Sequence, residues 1–84
     1  MIVMELRPNG RQKSFYGKAQ IIICDNWTAL KSYDTFVCRV VNGKLEKLWD
    51  GYSATTMRHI NDFLDAMGIQ GGGKNWWCNL PIVR

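Results

Sequence analysis

Ser53-Ala54-Thr55-Thr56-Met57-Arg58-His59-Ile60-Asn61-Asp62-Phe63-Leu64-Asp65-Ala66-Met67-Gly68 is the stretch on which the fold turns. At roughly 100° per residue, Met57, Ile60, Phe63, Leu64 and Met67 fall within an arc of about 120°. Arg58, Asn61, Asp62 and Asp65 occupy the other side. Ser53 stands where an N-cap hydroxyl accepts from an orphaned first-turn amide. Tyr52 and Met57 have the spacing of a hydrophobic staple. Gly68 follows where a left-handed residue ends a helix. A helix with one apolar stripe needs a second layer to bury it, and the residues upstream supply one.

Asn42-Gly43 is the strongest local signal there, because a type I′ hairpin turn needs positive φ at both central positions. A two-residue loop fixes the register: Val41 opposite Lys44, Val40 opposite Leu45, Arg39 opposite Glu46, Cys38 opposite Lys47, Val37 opposite Leu48 and Phe36 opposite Trp49. One face then carries Val40, Leu45, Phe36 and Trp49, and the other carries the Arg39–Glu46 ion pair. Further back, Asp34-Thr35 reads as a corner and Trp27–Tyr33 as a strand. Asp25-Asn26 reads as a two-residue loop whose residues tolerate positive φ. Phe15–Cys24 is a strand around the β-branched run Ile21-Ile22-Ile23, and Arg7-Pro8-Asn9-Gly10 is a turn. Met1–Leu6 is a strand or a docking tail.

After the helix, Gly71-Gly72-Gly73 reads as a flexible joint. Asn75 is placed to cap one turn through Trp76, Trp77 and Cys78, and Leu80-Pro81-Ile82-Val83 is a docked extended tail. The expected architecture is α+β: an antiparallel β-meander of about four strands packed by one amphipathic helix, with a short C-terminal helical turn. Residues 1–84 form a single domain.

Composition bounds the function. The chain has 84 residues, of which 46% are hydrophobic, and includes four Trp, three Tyr and three Phe. That aromatic supply provides a core without disulfides or metals. No apolar run approaches the roughly 18 residues of a membrane span. The start, Met1-Ile2-Val3-Met4-Glu5, lacks the basic region and cleavage site of a signal peptide. Three widely spaced cysteines, an odd number, point to reduced thiols and a cytoplasmic setting.

The +4 net charge is concentrated early, where Arg7, Arg11, Lys13 and Lys18 face only Glu5. With Phe15 and Tyr16 between them, these residues resemble a nucleic-acid contact, cations for phosphates and a ring for stacking. A solvated basic edge that guards a sheet is the plainer reading. Trp76 and Trp77 either close the core or offer an interface anchor. The candidate contact residues are therefore Arg7, Arg11, Lys13, Tyr16, Lys18, Trp76 and Trp77.

Catalytic and metal signals are weak. His59, the only histidine, lies at the edge of the apolar stripe with no partner at i±4, which suits a seam histidine better than a general base. Ser53, His59 and Asp62 share one helix and cannot form a nucleophile–base–acid line. Gly71-Gly72-Gly73-Lys74 lacks the spacing of a phosphate-binding loop. Cys24, Cys38, Cys78 and His59 are the inventory of a Cys₃His zinc site without a paired-cysteine spacing. No catalytic residue and no cofactor is expected.

The segment Trp49–Phe63, the motif Ser32-Tyr33-Asp34-Thr35-Phe36-Val37, the Asn-Gly hairpin and a late Trp followed by Leu80-Pro81-Ile82 together resemble a family of small uncharacterised proteins. These occur in bacterial phages and mobile elements, chiefly of Firmicutes. The likeness covers about two-thirds of the chain, from Tyr33 onward. The Gly triplet, the doubled Trp and the cysteines depart from the pattern. The resemblance implies a context rather than an activity: a non-enzymatic accessory protein that binds a host protein, such as a CRISPR effector or another defence component. The alternative is a small basic nucleic-acid-binding module.

Overall fold

The computed structural model describes residues 1–6 and 18–83. The expected turn at Arg7–Gly10 and the first part of the Phe15–Cys24 strand lie outside the described residues, as do Arg7, Arg11, Lys13 and Tyr16. Five strands, β1 (Ile2–Glu5), β2 (Ala19–Ile23), β3 (Thr28–Ser32), β4 (Thr35–Val41) and β5 (Lys44–Lys47), precede two helices, α1 (Ala54–Met67) and α2 (Lys74–Asn79). The strands form one antiparallel sheet in the order β1-β2-β3-β4-β5. The fold is α+β, and β1 brings the meander to five strands.

The β4–β5 turn follows from its sequence. Asn42 and Gly43 take φ of 53° and 78°, and the ladder runs as expected from Val41↔Lys44 to Cys38↔Lys47. Arg39 Nε donates to Glu46 Oε1 at 2.6 Å. Beyond Lys47 the register breaks, because Leu48 N–H and Trp49 N–H both donate to Val37 O, at 2.9 and 3.2 Å. Phe36 is therefore not paired with Trp49. On the other side of β4, Leu30 pairs with Cys38 and Lys31 with Phe36, so Val37 is an extra residue, a β-bulge. The bulge puts Val37 and Cys38 both in the core and turns Phe36 outward, where it is 46% exposed. Phe36 on the core face is thus corrected: a single added residue inverts the alternation of everything before it.

Two turns also differ in detail. Ser32 pairs with Thr35, so Tyr33-Asp34, not Asp34-Thr35, forms the β3–β4 turn. Tyr33 takes the left-handed φ of 54°, a backbone state unusual for a bulky residue, and its N–H donates to Lys18 O at 2.6 Å. The Asp25-Asn26 loop closes with Cys24 N–H donating to Trp27 O at 2.9 Å. Neither loop residue has positive φ, so the tolerance read there is not used.

α1 is capped as expected. Ser53 Oγ accepts from Thr56 N–H at 3.0 Å, and Gly68 closes the helix at φ 71°. Met57, Ile60, Phe63 and Leu64 are buried against Leu30, Val37, Cys38 and Val40 of the sheet, with Leu6 and Ala19 completing that side. Met67 packs at the margin. α2 begins two residues earlier than expected, with Gly73 rather than Asn75 at its N-cap. The glycine triplet is not simply a joint. A Cβ on Gly71 would lie 2.8 Å from Leu64 Cδ1, and one on Gly72 2.7 Å from Trp76 Cβ. The segment is closely packed at both positions.

The C-terminal segment is fastened by a buried lysine. Lys47, only 2% exposed, donates through Nζ to Trp77 O at 2.9 Å and Leu80 O at 3.2 Å. Its ammonium lies 4.9 Å from the Trp77 ring centroid and 3.7 Å from Asp50 Oδ1. Cations at a helix C-terminus satisfy its last carbonyls, and here that cation comes from a strand. Val83 N–H donates to Lys47 O at 2.8 Å, and Ile82 bridges Lys47 in parallel, so the tail docks along β5.

Candidate functional site

The face of the sheet opposite the helices carries an apolar hollow. Its origin is the strand alternation: Leu30, Cys38 and Val40 turn toward α1, so their neighbours Ala29 and Arg39 turn away. Ile22, Ala29 and Arg39 follow one another across β2, β3 and β4. Ala29 is the small floor. Trp27, leading into β3, Phe36, expelled by the bulge, and Leu48, just past β5, stand around it with Arg39. The hollow has a volume of about 360 Å³. Its cation is neutralised within the sheet by Glu46 at 2.6 Å. Lys31 approaches from the neighbouring strand, its ammonium 5.8 Å from the Phe36 ring centroid. An aromatic and aliphatic rim around a shallow floor, with a paired arginine, can receive an apolar side chain of a partner.

A second polar cluster lies at the seam between sheet and helix. Ser32 Oγ is hydrogen-bonded to His59 Nδ1 at 2.8 Å and lies 3.3 Å from Thr56 Oγ1, to which Ser53 Oγ donates at 3.0 Å. His59 and Ser32 are 1% and 2% exposed. Tyr33 stands over His59 with ring centroids 6.0 Å apart, and Lys18 Nζ lies 5.8 Å from the Tyr33 centroid. Burial lowers the His59 pKa from its ordinary 6.5, with Asp62 opposing and Arg58 and Lys18 reinforcing the shift. A serine–histidine pair enclosed on this scale ties two layers together. His59 is thus the seam residue that the stripe predicted.

The other candidates separate. Trp77 is fully buried, with its indole N–H donating to Gly51 O at 2.9 Å. As a partner contact it is corrected: the short helix lays its ring against the core and the Lys47 ammonium. Trp76 is partly buried against the core margin. Lys18 is exposed. Arg7, Arg11, Lys13 and Tyr16 carry their sequence reading unchanged. Cys24 is partly buried, Cys38 buried and Cys78 exposed. They do not converge on His59, and among the described residues no three His, Cys, Asp or Glu side chains are grouped to hold a metal ion. Burial pushes the Cys38 thiol up to about 12, which leaves it an inert apolar filler.

Trp27, Phe36 and Leu48 were missed in the sequence as a group. One signal was present: in Ile21-Ile22-Ile23 the middle residue must face opposite its neighbours, so both sheet faces need apolar cover.

The family of unknown function DUF8033 matches residues 4–79. The chain belongs to DUF8033. The matched region takes in all of α1 and α2 and strands β2 to β5, so the hollow, the seam, Lys47 and Trp77 lie within the family's span, while Leu80 and Val83 lie beyond it. No curated protein and no solved structure matches this DUF8033 member. No described helix is long and apolar enough to cross a membrane.

Proposed function

We propose that this DUF8033 protein is a non-enzymatic binding protein, an accessory product of a phage or mobile element that engages a host protein, with an anti-defence role of the anti-CRISPR type. The observation that carries the binding reading is the hollow on the sheet face opposite the helices. Phe36 lies in β4, Trp27 immediately before β3 and Leu48 immediately after β5, and aromatic and aliphatic anchors around a buried floor are the composition of an interface hot spot. Pairing with Glu46 removes Arg39 as a free phosphate-binding charge, which favours a protein over a nucleic acid at this place. The +4 charge of the chain favours an acidic partner surface. The accessory role rests on the resemblance of the Trp49–Phe63 motif, and the cytoplasmic setting on the three unpaired thiols.

The test is protection of a targeted plasmid in cells carrying an active CRISPR system, with the wild type, Trp27→Ala and Phe36→Asp compared. Protection by the wild type and its loss in both variants, with folding retained, is the expected result. Absence of protection, or protection that is indifferent to both substitutions, overturns the assignment.

A second reading has its own observation. Lys18 beside Tyr33 and Lys31 beside Phe36 each pair an ammonium with an exposed ring, the elements of a single-strand binder. That reading requires mobility shifts that weaken steeply with salt and on neutralising Arg7, Arg11, Lys13 and Lys18. No shift at low salt eliminates it.

A further inference from the structure

We propose that the hollow takes a partner segment of one chemistry, a large apolar side chain flanked on both sides by carboxylates. This inference rests on the reading of the hollow as the binding face, and it names what that face recognises. Leu30, Leu45 and Lys47 are turned toward the helices. The strand alternation therefore sends Lys31, Lys44 and Glu46 to the other side, together with Ala29 and Arg39. On β3, β4 and β5 the hollow face thus carries three cations, Lys31, Arg39 and Lys44, and one carboxylate. That carboxylate, Glu46, is committed to Arg39 at 2.6 Å. Among the described residues neither Lys31 nor Lys44 has a carboxylate partner.

These two ammonium groups belong to opposite ends of the hollow. Lys31 is in register with Phe36, and its ammonium lies 5.8 Å from that ring centroid. Lys44 is in register with Val41, at the far end of β4, and is exposed. Between them Ala29 faces Arg39 across β3 and β4, and Ala29, only 1% exposed, is the floor. A chain laid along β4 meets a cation, the hollow and a second cation in turn. The volume of about 360 Å³ is at the small end of the range for ligand pockets, about 300–1,000 Å³. That is the scale of one large side chain.

Charge complementarity selects the occupant. An apolar residue by itself fills the hollow but leaves both ammonium groups unanswered at its rim. Carboxylates on either side answer them, and rim charges of this kind set partner choice and the rate of encounter. A basic segment is repelled by the same two groups. Nucleic acid also offers negative charge, but its bases bind by laying a flat face on a ring. Here Lys31 already stands over the Phe36 ring, and a concave floor built on Ala29 suits a side chain inserted end-on. The geometry therefore favours an acidic protein segment with an apolar anchor.

The probe is a capped pentapeptide with tryptophan at its centre and aspartate at the other positions, titrated into isotope-labelled protein and followed by NMR. Shifts are expected to concentrate at Trp27, Ala29, Arg39 and Leu48. The affinity should exceed that of the same peptide with asparagine for aspartate by about tenfold, a gap that closes in high salt. With lysine for aspartate, the peptide should not bind. Lys31→Gln combined with Lys44→Gln is expected to erase the preference for the acidic peptide and leave the neutral one's affinity unchanged. Ala29→Leu fills the floor and should abolish binding of both. The double lysine variant, which touches no core residue, decides the matter should Ala29→Leu fail to fold. Equal affinity for the acidic and neutral peptides overturns this proposal alone and leaves the hollow as an apolar site. Binding of neither overturns it together with the reading of the hollow as the binding face. Shifts at these residues produced by oligothymidylate in preference to the acidic peptide, or by raising the protein concentration alone, overturn it in favour of nucleic acid or a second copy.

Discussion

The two edges of the sheet are built oppositely. β5 is short and polar in sequence, Lys44-Leu45-Glu46-Lys47, yet it is the sealed edge: Lys47 is drawn inward to hold two carbonyls of the C-terminal segment, and Val83 pairs with the strand. β1 is apolar in sequence, yet it is the open edge, with Ile2, Val3 and Met4 each more than half exposed. Hydropathy alone would assign them the other way round. A charged side chain is buried where carbonyls and a ring wait to receive it, and apolar ones stay more than half exposed where, among the described residues, no second layer covers them.

The largest effect should come from unfastening the sealed edge. Trp77→Ala removes the biggest fully buried side chain and is expected to destabilise by about 3–5 kcal/mol in chemical denaturation. Proteolysis should then cut first in the C-terminal segment. If α2 is still protected after that substitution, the anchor is not where the comparison puts it.

Lys47→Met keeps the stem and deletes the charge. It leaves Trp77 O and Leu80 O without their ammonium donor, an expected loss of about 2–3 kcal/mol, with Val83 losing its slow amide exchange. An unchanged melting curve would mean that the tail docks by apolar contact alone.

Between the edges, His59 and Cys38 bound the pH range. His59 has a folded-state pKa below its ordinary 6.5, so its neutral form stabilises fully above 6.5. That stability is lost as pH falls, because the unfolded chain takes the proton first. Cys38 runs the other way: with its folded pKa raised from 9.0 to about 12, its contribution is complete below 9.0 and is lost as pH rises through that window. Denaturation midpoints across pH should show both shoulders, and His59→Gln should flatten the acid one.

The smallest effect belongs to the open edge. Met4→Ser changes a half-exposed side chain and is expected to alter monomer stability by less than about 0.5 kcal/mol. The same substitution on a strand that α1 covered would be several times worse. A loss above about 1 kcal/mol would show that β1 is supported by more than β2.

Much of the fold was legible because its signals are local. Asn42-Gly43 fixes a hairpin through backbone sterics alone, and Ser53, the apolar stripe and Gly68 fix α1 through capping and periodicity. The Arg39–Glu46 pair followed from that turn by counting. What was not legible arose from insertions and long-range partners. Val37 looks like any strand residue, and nothing near it announces that Leu48 and Trp49 will share its carbonyl. The bulge sends Phe36 out and creates the hollow, so a site assembled from Trp27, Ala29, Phe36 and Leu48 could not be read from any one segment. A Trp pair in a small protein most often closes the core, yet Trp77 stood among the candidate contacts, and only α2 and Gly51 O around it show which holds.

By itself the sequence determined strands β2 to β5, the β4–β5 register from Val41↔Lys44 to Cys38↔Lys47 and the helix that covers one face, since propensity, turn chemistry and periodicity act within a few residues. Only the tertiary structure decided which edge is closed, which face holds the hollow, and that Lys47 is inside while Ile2, Val3 and Met4 are outside. Burial is a property of what packs against a residue, and the neighbours that bury Lys47 are remote in the chain.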